Sequence, residues 1–402
     1  MVNLCFLKGK EFVKRVFGYD AETRAAFLVF IAALVNTVLC AVAVFAVAVY
    51  LLFRKKGALL FKKGNRSGFL FSAVVLFASA INLNYFGIAG TLFFLAVLLI
   101  AYSFRENITK QKIDDIFTLM VAYSIVAFVV AVVQKIFNLS AIEGRSASTF
   151  MNALYYCYYI AFVILICLFR IIYENRNKLF YFSALALNVA AIIVTGSKMP
   201  LFAIAAAVFV MLLFAKKFKI LIPLTILGVA AGVLIIVFQD VIVEKLQMNS
   251  FVDSLVMRFD YWKPAINGFV KRPVFGHGML GILNESVKGA KQAGFNLFDF
   301  NNLEVYFDEL KHIGWHLHAH NIALECLYSF GAVGTALIGF SIIKRCRQLY
   351  IQSGRNLLSP YMTLVMSSLV YVFVNGIVDC QIVGVQTAFL SIFLFSLTAV
   401  KE

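Results

Sequence analysis

Apolar runs of about twenty residues recur along most of this chain, and they constrain its fold more than any other feature. A segment surrounded by lipid has no water with which to hydrogen-bond, so a chain crosses a bilayer only as helices or as a closed barrel. Only 14% of the residues are charged and 62% are hydrophobic, whereas soluble domains carry about a quarter charged residues. The sequence therefore predicts an all-α, polytopic integral membrane protein.

The hydropathy pattern predicts about 11–12 transmembrane helices and one large extracytoplasmic loop. The first candidate helix, 25–53, is longer than a bilayer requires, and a further weak span near the start would make twelve. The other candidates lie near 68–83, 86–104, 114–137, 150–173, 179–196, 199–215, 219–239, 320–343, 359–376 and 381–399. The predicted divisions are an N-terminal segment, helices one to eight, the loop and helices nine to eleven, at 1–24, 25–239, 240–319 and 320–402.

Basic residues orient these helices. Nineteen Lys and Arg lie in one alternate set of turns, whereas the short turns of the other set and the helix ends beside them hold only three; positive turns stay in the cytoplasm. The basic set comprises 54–66, 105–115, 170–178, 216–219 and 344–355. The set predicted outside comprises 138–149, 195–198, 240–319 and 376–380. Eleven spans would also place the N-terminus outside, against the preference of its own basic residues, so the side of residues 1–24 stays open.

The net charge of +16 would suggest a nucleic-acid partner in a soluble protein. Here the basic residues lie between apolar spans, where membrane topology explains them, so we expect no nucleic-acid partner. None of the seven cysteines lies in the long loop, which argues against a disulfide framework and against a cysteine zinc site.

The 240–319 segment differs from the rest of the chain. It carries four of the five histidines and both tryptophans, with His320 just beyond it, and its charges are balanced at nine acidic and eight basic residues. A connection of this length without structure is rare in a folded protein. We predict a folded extracytoplasmic cap with helices near 251–271 and 299–316, and we expect the chemistry of the protein there.

Three cations lie on the predicted outer side, where topology does not require them: Arg145, Lys198 and Arg258. Each could reach a lipid phosphate by extending to the membrane surface. Three together, on the side that carries the histidines, favour a site that binds a phosphate group.

Two further motifs each allow two interpretations. Gly276-His277-Gly278 fits either a tight turn that closes the cap or, more weakly, a phosphate-binding turn. His316-Leu317-His318-Ala319-His320-Asn321 supplies candidate general bases at the membrane surface. His312, His316 and His320 also share a four-residue spacing that could bind zinc, although Gly314 weakens such a helix and no carboxylate has matching spacing.

Four blocks resemble, in order, the O-antigen ligase and O-antigen polymerase superfamily of bacterial envelopes. They are the stretch Gly144-Arg145 to Asn152, the turn Thr195-Gly196-Ser197-Lys198, the run from Arg258 through Trp262 to Pro273-Val274-Phe275-Gly276-His277-Gly278, and His320-Asn321 followed by Gly331-Ala332-Val333-Gly334. The resemblance covers about residues 140–340. It departs from the family at Lys198, where arginine is usual, and at Ser148, where glycine is usual.

The resemblance implies a glycosyltransferase that acts outside the cytoplasmic membrane without a metal or other cofactor. Its donor would be an oligosaccharide on undecaprenyl pyrophosphate. His320 would deprotonate the acceptor, and Arg258, Lys198 and Arg145 would hold the pyrophosphate. Supporting residues would be Asn321, Gly276, Gly278, His318 and Trp262.

Several readings stay open at this level. We favour a polymerase, whose acceptor is a second glycan lipid, over a ligase, whose acceptor is lipid A core. A transporter of the same lipids is the alternative from another class, although intramembrane charges are scarce. An assembly protein is the third reading. The expected location is the bacterial inner membrane, with the site facing the periplasm or cell exterior and other polysaccharide assembly proteins as candidate partners.

Overall fold

The structure, a computed structural model, describes residues 11–139, 145–174, 177–237, 248–292 and 318–396, and these ranges contain helices and no strand. Its helices are α1 Ala21–Val35, α2 Thr37–Phe53, α3 Arg66–Ile81, α4 Tyr85–Glu106, α5 Lys110–Ile136, α6 Ala153–Tyr173, α7 Lys178–Thr195, α8 Met199–Phe214, α9 Phe218–Val237, α10 Met248–Lys271, α11 Gly281–Gln292, α12 Ile322–Gln352, α13 Pro360–Gly376 and α14 Val385–Ser396. Short 3-10 helices cover Lys56–Phe61 and Gln381–Val383. Residues 11–18 are also helical.

The all-α membrane class predicted from the sequence is confirmed. Five helices, α4, α5, α6, α7 and α12, are long and apolar enough to cross a membrane. Other apolar helices, among them α2, α3, α8 and α13, have 16 or 17 residues, so the total of 11–12 crossings stays a prediction. Within 240–319, α10 confirms the helix predicted near 251–271, and the one predicted near 299–316 lies outside the described residues, so the folded cap stays a prediction.

The single helix predicted for 25–53 is wrong. The chain breaks at Asn36, whose backbone is extended at φ −162° and whose side chain caps α2 by accepting from the amides of Val38 and Leu39. The two helices form an antiparallel hairpin, because Glu22 at the start of α1 lies 3.7 Å from Arg54 just beyond the end of α2. Hydropathy alone merges the two helices, since the break involves one polar residue and neither Gly nor Pro.

The hairpin settles which end of the bundle carries residues 15–20. Arg15 pairs with Asp115 at 3.0 Å, and the Tyr19 hydroxyl donates to the same carboxylate at 2.6 Å. Lys112 pairs with Asp20 at 3.0 Å. Residues 15–20 therefore lie at the end of the bundle that carries the basic turns 54–66 and 105–115. This end is called the basic face below.

The other end of the bundle gathers the turns predicted outside. Thr149 donates to the carbonyl of Leu34 near the hairpin tip, and Gln386 donates to Ala33. Helix α6 lies at the centre of the bundle. Of its most apolar 18-residue stretch, 83% is buried, compared with 33–56% for the same stretch of the other long helices. Its first turn carries Cys157, which contacts Thr195 at 3.2 Å. This end is called the site face.

Helix α12 is broken at Gly331, and the break is bound by the segment that follows α10. Gly331 has φ 63° and ψ −171°, a backbone conformation reserved for glycine. The exposed backbone groups on both sides of the break are paired: the amides of His277 and Gly278 donate to the carbonyls of Tyr328 and Ser329 at 3.0 and 2.8 Å. The amide of Ala332 donates to the Pro273 carbonyl at 2.7 Å, and that of Val333 to Val274 at 3.1 Å.

This pairing decides between the two interpretations of Gly276-His277-Gly278. The His277 and Gly278 amides are committed to α12 and cannot cradle a phosphate. A Cβ on Gly276 would lie 2.5 Å from the Gly331 nitrogen, and one on Gly331 would lie 2.4 Å from the Val274 carbonyl oxygen. The glycines allow two backbones to pack in contact.

We expect Gly331→Ala to destabilise the protein, because the left-handed backbone alone costs about 1–3 kcal/mol and the new methyl group would overlap Val274. The measurement is the thermal unfolding midpoint of the purified protein in detergent. Gly289→Ala in α11 is the matched control, since a Cβ there meets nothing within 4 Å. Equal midpoints for the two variants would contradict the packing argument.

Candidate functional site

Two histidines and an aspartate meet at the site face. The His320 Nδ1 atom lies 3.7 Å from Asp379 Oδ1, and the His318 Nε2 atom lies 3.8 Å from the same oxygen. The two imidazole rings lie 4.1 Å apart between centroids. Asp379 and His318 are buried, whereas the His320 side chain keeps 31% of its exposure. His320 is thus the member of the cluster that a ligand can reach.

The loop that carries His320 is fixed on both sides. His320 itself has φ 48°, a left-handed conformation that is uncommon outside glycine and concentrates at functional sites. The Asn321 side chain caps α12 by accepting from Ala323 and Leu324 and donates at 3.0 Å to the carbonyl of Ile377. Because Ile377 lies two residues before Asp379, Asn321 holds the histidine and the aspartate together.

A buried carboxylate supports the same loop from below. Glu325, in the first turn of α12, accepts from the amide of Ala319 at 2.9 Å and from the hydroxyl of Ser329 at 2.8 Å. Both of its oxygens are therefore used within the loop and helix. Because the Ala319 amide is bound to Glu325, the backbone between His318 and His320 is held in place.

Hydrogen bonds indicate the tautomers of the two histidines. The His320 amide donates to His318 Nδ1 at 3.1 Å, so a neutral His318 carries its proton on Nε2, the atom that faces Asp379. For His320 the atom that faces Asp379 is Nδ1. A proton on this nitrogen would leave Nε2 as the acceptor. The 3.7 Å separation is longer than a hydrogen bond, and such contacts commonly tighten when substrate binds.

The charge of Asp379 is held by its neighbours. Burial by itself raises the pKa of a carboxyl, but the interactions with His320 and His318 outweigh burial and hold the pKa of Asp379 below its usual range. Gln381 adds a donor to Asp379 Oδ2 at 3.3 Å. An ionised carboxylate therefore faces both imidazoles.

The same three residues could geometrically hold a metal ion, since their ligand atoms lie within 4.8 Å of one another. The tautomer of His318 disfavours this use, because a proton occupies Nε2, the nitrogen nearest the aspartate. The sequence also suggested a zinc site formed by His312, His316 and His320. Of these, His312 and His316 lie outside the described residues.

The cations predicted to bind pyrophosphate lie on elements of the site face. Arg258, in α10, is half-buried and lies within electrostatic range of Asp379, Tyr261 and Arg145. Burial lowers the pKa of Arg258, which nevertheless keeps its charge because a guanidinium titrates far above neutrality. The exposed Arg145 lies beside the turn Thr195–Lys198, with its Cγ 3.9 Å from where a Gly196 side chain would begin. Lys198 is half-buried just before α8.

Four buried polar atoms on elements of the site face have no hydrogen-bond partner among the described residues: Arg258 Nη1, Trp262 Nε1, His320 Nδ1 and Gln381 Oε1. Buried polar atoms in proteins are nearly always paired, so these atoms are candidates for contact with a polar ligand. Three of the four belong to segments singled out from the sequence. Trp262 also packs edge-to-face on Phe259 at 4.8 Å.

Sequence reasoning missed Asp379 and Tyr261. The Tyr261 ring lies 4.9 Å from the His320 ring, which makes α10 a wall of the site. Asp379 could have been noticed in the sequence, because it is an acidic residue in the turn 376–380, which is predicted to lie on the same outer side as the histidines. His277, by contrast, stacks on Tyr328 at 4.3 Å and binds the Gly268 carbonyl through Nε2 at 3.0 Å, which are packing contacts.

Comparison with protein families supports the resemblance drawn from the motifs. Residues 183–339 match the family model described as O-Antigen ligase. The match supports the resemblance to the O-antigen ligase and polymerase superfamily over these residues. It includes Lys198, Arg258 and His320 and leaves Arg145 and Asp379 outside its bounds. No curated protein matches the chain.

Proposed function

We propose, from the superfamily relation of residues 183–339, that this protein transfers a glycan from a polyprenyl pyrophosphate donor to a sugar hydroxyl. The observation that carries the proposal is the accessible His320, which faces an ionised Asp379 beside the half-buried cation Arg258. A base for a hydroxyl and a cation for a pyrophosphate are the two groups that this reaction needs.

In the proposed step, the acceptor hydroxyl oxygen forms a bond to the anomeric carbon of the donor glycan while the bond from that carbon to the phosphate oxygen breaks. The hydroxyl proton passes to His320 Nε2, and Asp379 stabilises the resulting imidazolium. The pyrophosphate lipid leaves with the electron pair of the broken bond. Its charge is balanced by Arg258, Lys198 and Arg145, so no acid need protonate it.

Direct displacement would invert the anomeric centre. A retaining route needs a carboxylate nucleophile beside the sugar. Asp379 suits that role poorly, because its oxygens face His318, His320 and Gln381 and it is only 3% exposed.

We favour a polymerase, in which the acceptor is a second lipid-linked repeat unit, and a ligase acting on lipid A core is the alternative. The two reactions share the donor and the base, so the difference lies in the acceptor contacts. The reaction would occur at the outer face of the bacterial cytoplasmic membrane, because the site lies at the end of the bundle opposite the basic turns.

The test is reconstitution of the purified protein in vesicles with its undecaprenyl-pyrophosphate repeat unit alone, with products resolved by size. A ladder that His320→Ala abolishes would support a polymerase. Transfer only after addition of lipid A core would identify a ligase. Protein-free vesicles are the control.

Movement of the lipid across the vesicle membrane without any transfer to either acceptor would overturn the enzyme proposal and favour a transporter. Inertness in transfer and translocation would favour an assembly role.

A further inference from the structure

Two arginines meet at the basic face, far from the candidate site. Arg105 lies in the last turn of α4, and Arg345 lies in the second half of α12. Helix α12 begins beside His320, and Arg345 follows Ile322 by 23 residues, which is up to roughly 35 Å at the helical rise. The pair is therefore separate from the chemistry proposed above.

Neutral groups hold both guanidinium groups together. Arg105 Nη2 donates to Asn65 Oδ1, and Arg345 Nη2 approaches the same oxygen at 3.4 Å. Arg345 Nη1 donates to Gln348 at 3.0 Å. Both guanidinium carbons lie over the Tyr102 ring, at 5.1 and 5.8 Å from its centroid.

Among the described residues, no carboxylate pairs with either arginine. Glu106 lies within electrostatic range of Arg105, but its carboxylate oxygens are paired with Lys62 and, at 3.2 Å, with Lys56. Lys344 adds a further positive charge within electrostatic range of both arginines, and its Nζ donates to the Lys63 carbonyl at 3.4 Å. Like charges that are partly removed from water repel one another unless an anion compensates them.

The two arginines line a pocket, and one of their donor atoms is unpaired. The pocket has a volume of ≈ 350 Å³ and is lined by Gly64, Arg105, Arg345, Gln348, Ile351 and Gln352. Arg105 Nη1 is buried and has no hydrogen-bond partner among the described residues. A guanidinium group forms paired hydrogen bonds with the oxygens of a phosphate. Two arginines are therefore better matched by a phosphate than by a single carboxylate.

We propose that Arg105 and Arg345 form a binding site for a phosphate-bearing anion at the basic face. The anion supplies the missing negative charge, accepts from Arg105 Nη1 and joins α4 to α12. Because α12 also carries the His320 loop at its other end, the site would stabilise the helix that presents the candidate base.

Two sources provide this chemistry. One is the phosphate of a membrane lipid headgroup, which would enter from the bilayer beside α12. The other is a soluble phosphate compound that enters from the aqueous side. Both would bind the same two guanidinium groups, and an experiment on the full-length protein separates them.

The experiment measures the thermal unfolding midpoint of the protein in micelles of an uncharged maltoside detergent, which carries no phosphate. Inorganic phosphate is titrated against chloride at equal ionic strength, and in a parallel series phosphatidylglycerol is added to the micelles. We compare wild type with Arg105→Gln and Arg345→Gln. Arg347→Gln is the matched control, because Arg347 is an exposed arginine on the same helix.

We expect the anion to raise the midpoint of wild type and of Arg347→Gln, with at least about tenfold weaker apparent binding in the two pair variants. Without the anion, the pair variants should be as stable as wild type or more stable, because one repelling charge is gone. A response to inorganic phosphate identifies a soluble ligand, and a response to phosphatidylglycerol alone identifies a lipid.

Equal responses of all four proteins would overturn the proposal. So would a large fall in the anion-free midpoint of both pair variants, since the arginines would then be structural. Arg345→Lys guards against failure to fold, because it keeps the positive charge. Lysine lacks the two parallel N–H donors of a guanidinium group, so we expect this variant to fold and to bind phosphate more weakly than wild type.

Discussion

His320→Ala should lower the rate of glycan transfer by about 10²- to 10⁴-fold, the contribution usual for a general base. Binding of the lipid donor should persist, because the cations proposed to contact pyrophosphate are unchanged. The expected signature is a fall in kcat with little change in the KM for donor. The measurement is transfer in vesicles at saturating acceptor. A comparable loss in donor binding would instead give His320 a role in holding the pyrophosphate.

A substitution of Asp379 provides a second test, with a smaller expected loss of rate. Asp379→Asn removes the charge that faces His320 Nδ1 but leaves the imidazole in place, so we expect a smaller loss than for His320→Ala. The loss should appear in kcat, because the carboxylate no longer stabilises the imidazolium that forms in the step. A purely structural Asp379 would lower the thermal unfolding midpoint of the protein along with the rate. Asp260→Asn is the control, since the Asp260 side chain is 71% exposed.

The same assay tests the metal alternative for the cluster of His318, His320 and Asp379. Transfer through a histidine base should be unaffected by a chelator such as EDTA. Loss of activity with the chelator and its recovery with added Zn²⁺ would make the cluster a metal site and exclude His320 as the free base.

The sequence predicted those parts of the molecule that depend on local pattern. The α6, α8 and α13 boundaries agree with prediction within three residues, because hydropathy and helix ends are local signals. His320 and the three cations Arg145, Lys198 and Arg258 were singled out by their predicted side of the membrane and by the motifs that contain them. Their roles stay predictions. The break at Asn36 escaped because one capping residue interrupts an otherwise apolar run.

The remaining features depend on contacts between distant segments. Asp379 follows His320 by 59 residues and reaches it only because Asn321 binds the carbonyl of Ile377. Gly276 and Gly331 pair across the end of α10 and the middle of α12, so neither motif alone reveals that they serve one packing contact. Such partners need a fold before they can be recognised.

Arg258→Gln should lower kcat by about 10²- to 10³-fold, the usual loss when one donor that stabilises developing charge is removed. The KM for the donor should rise as well, because the pyrophosphate carries charge before and after the step. Arg258 is half-buried and its Nη1 has no hydrogen-bond partner in the described part of the chain, so a phosphate oxygen would complete its hydrogen bonding. The measurement is the dependence of transfer rate on donor concentration.

Two variants sharpen this test. Lys263→Gln on the same helix is the matched control, because the Lys263 side chain is 75% exposed and we expect wild-type kinetics. Arg258→Lys keeps the charge and loses the fork, so its defect should be intermediate. If Arg258→Gln leaves the donor KM unchanged and its rate loss matches that of Asp379→Asn, the guanidinium serves to balance Asp379, and the pyrophosphate must rest on Lys198 and Arg145.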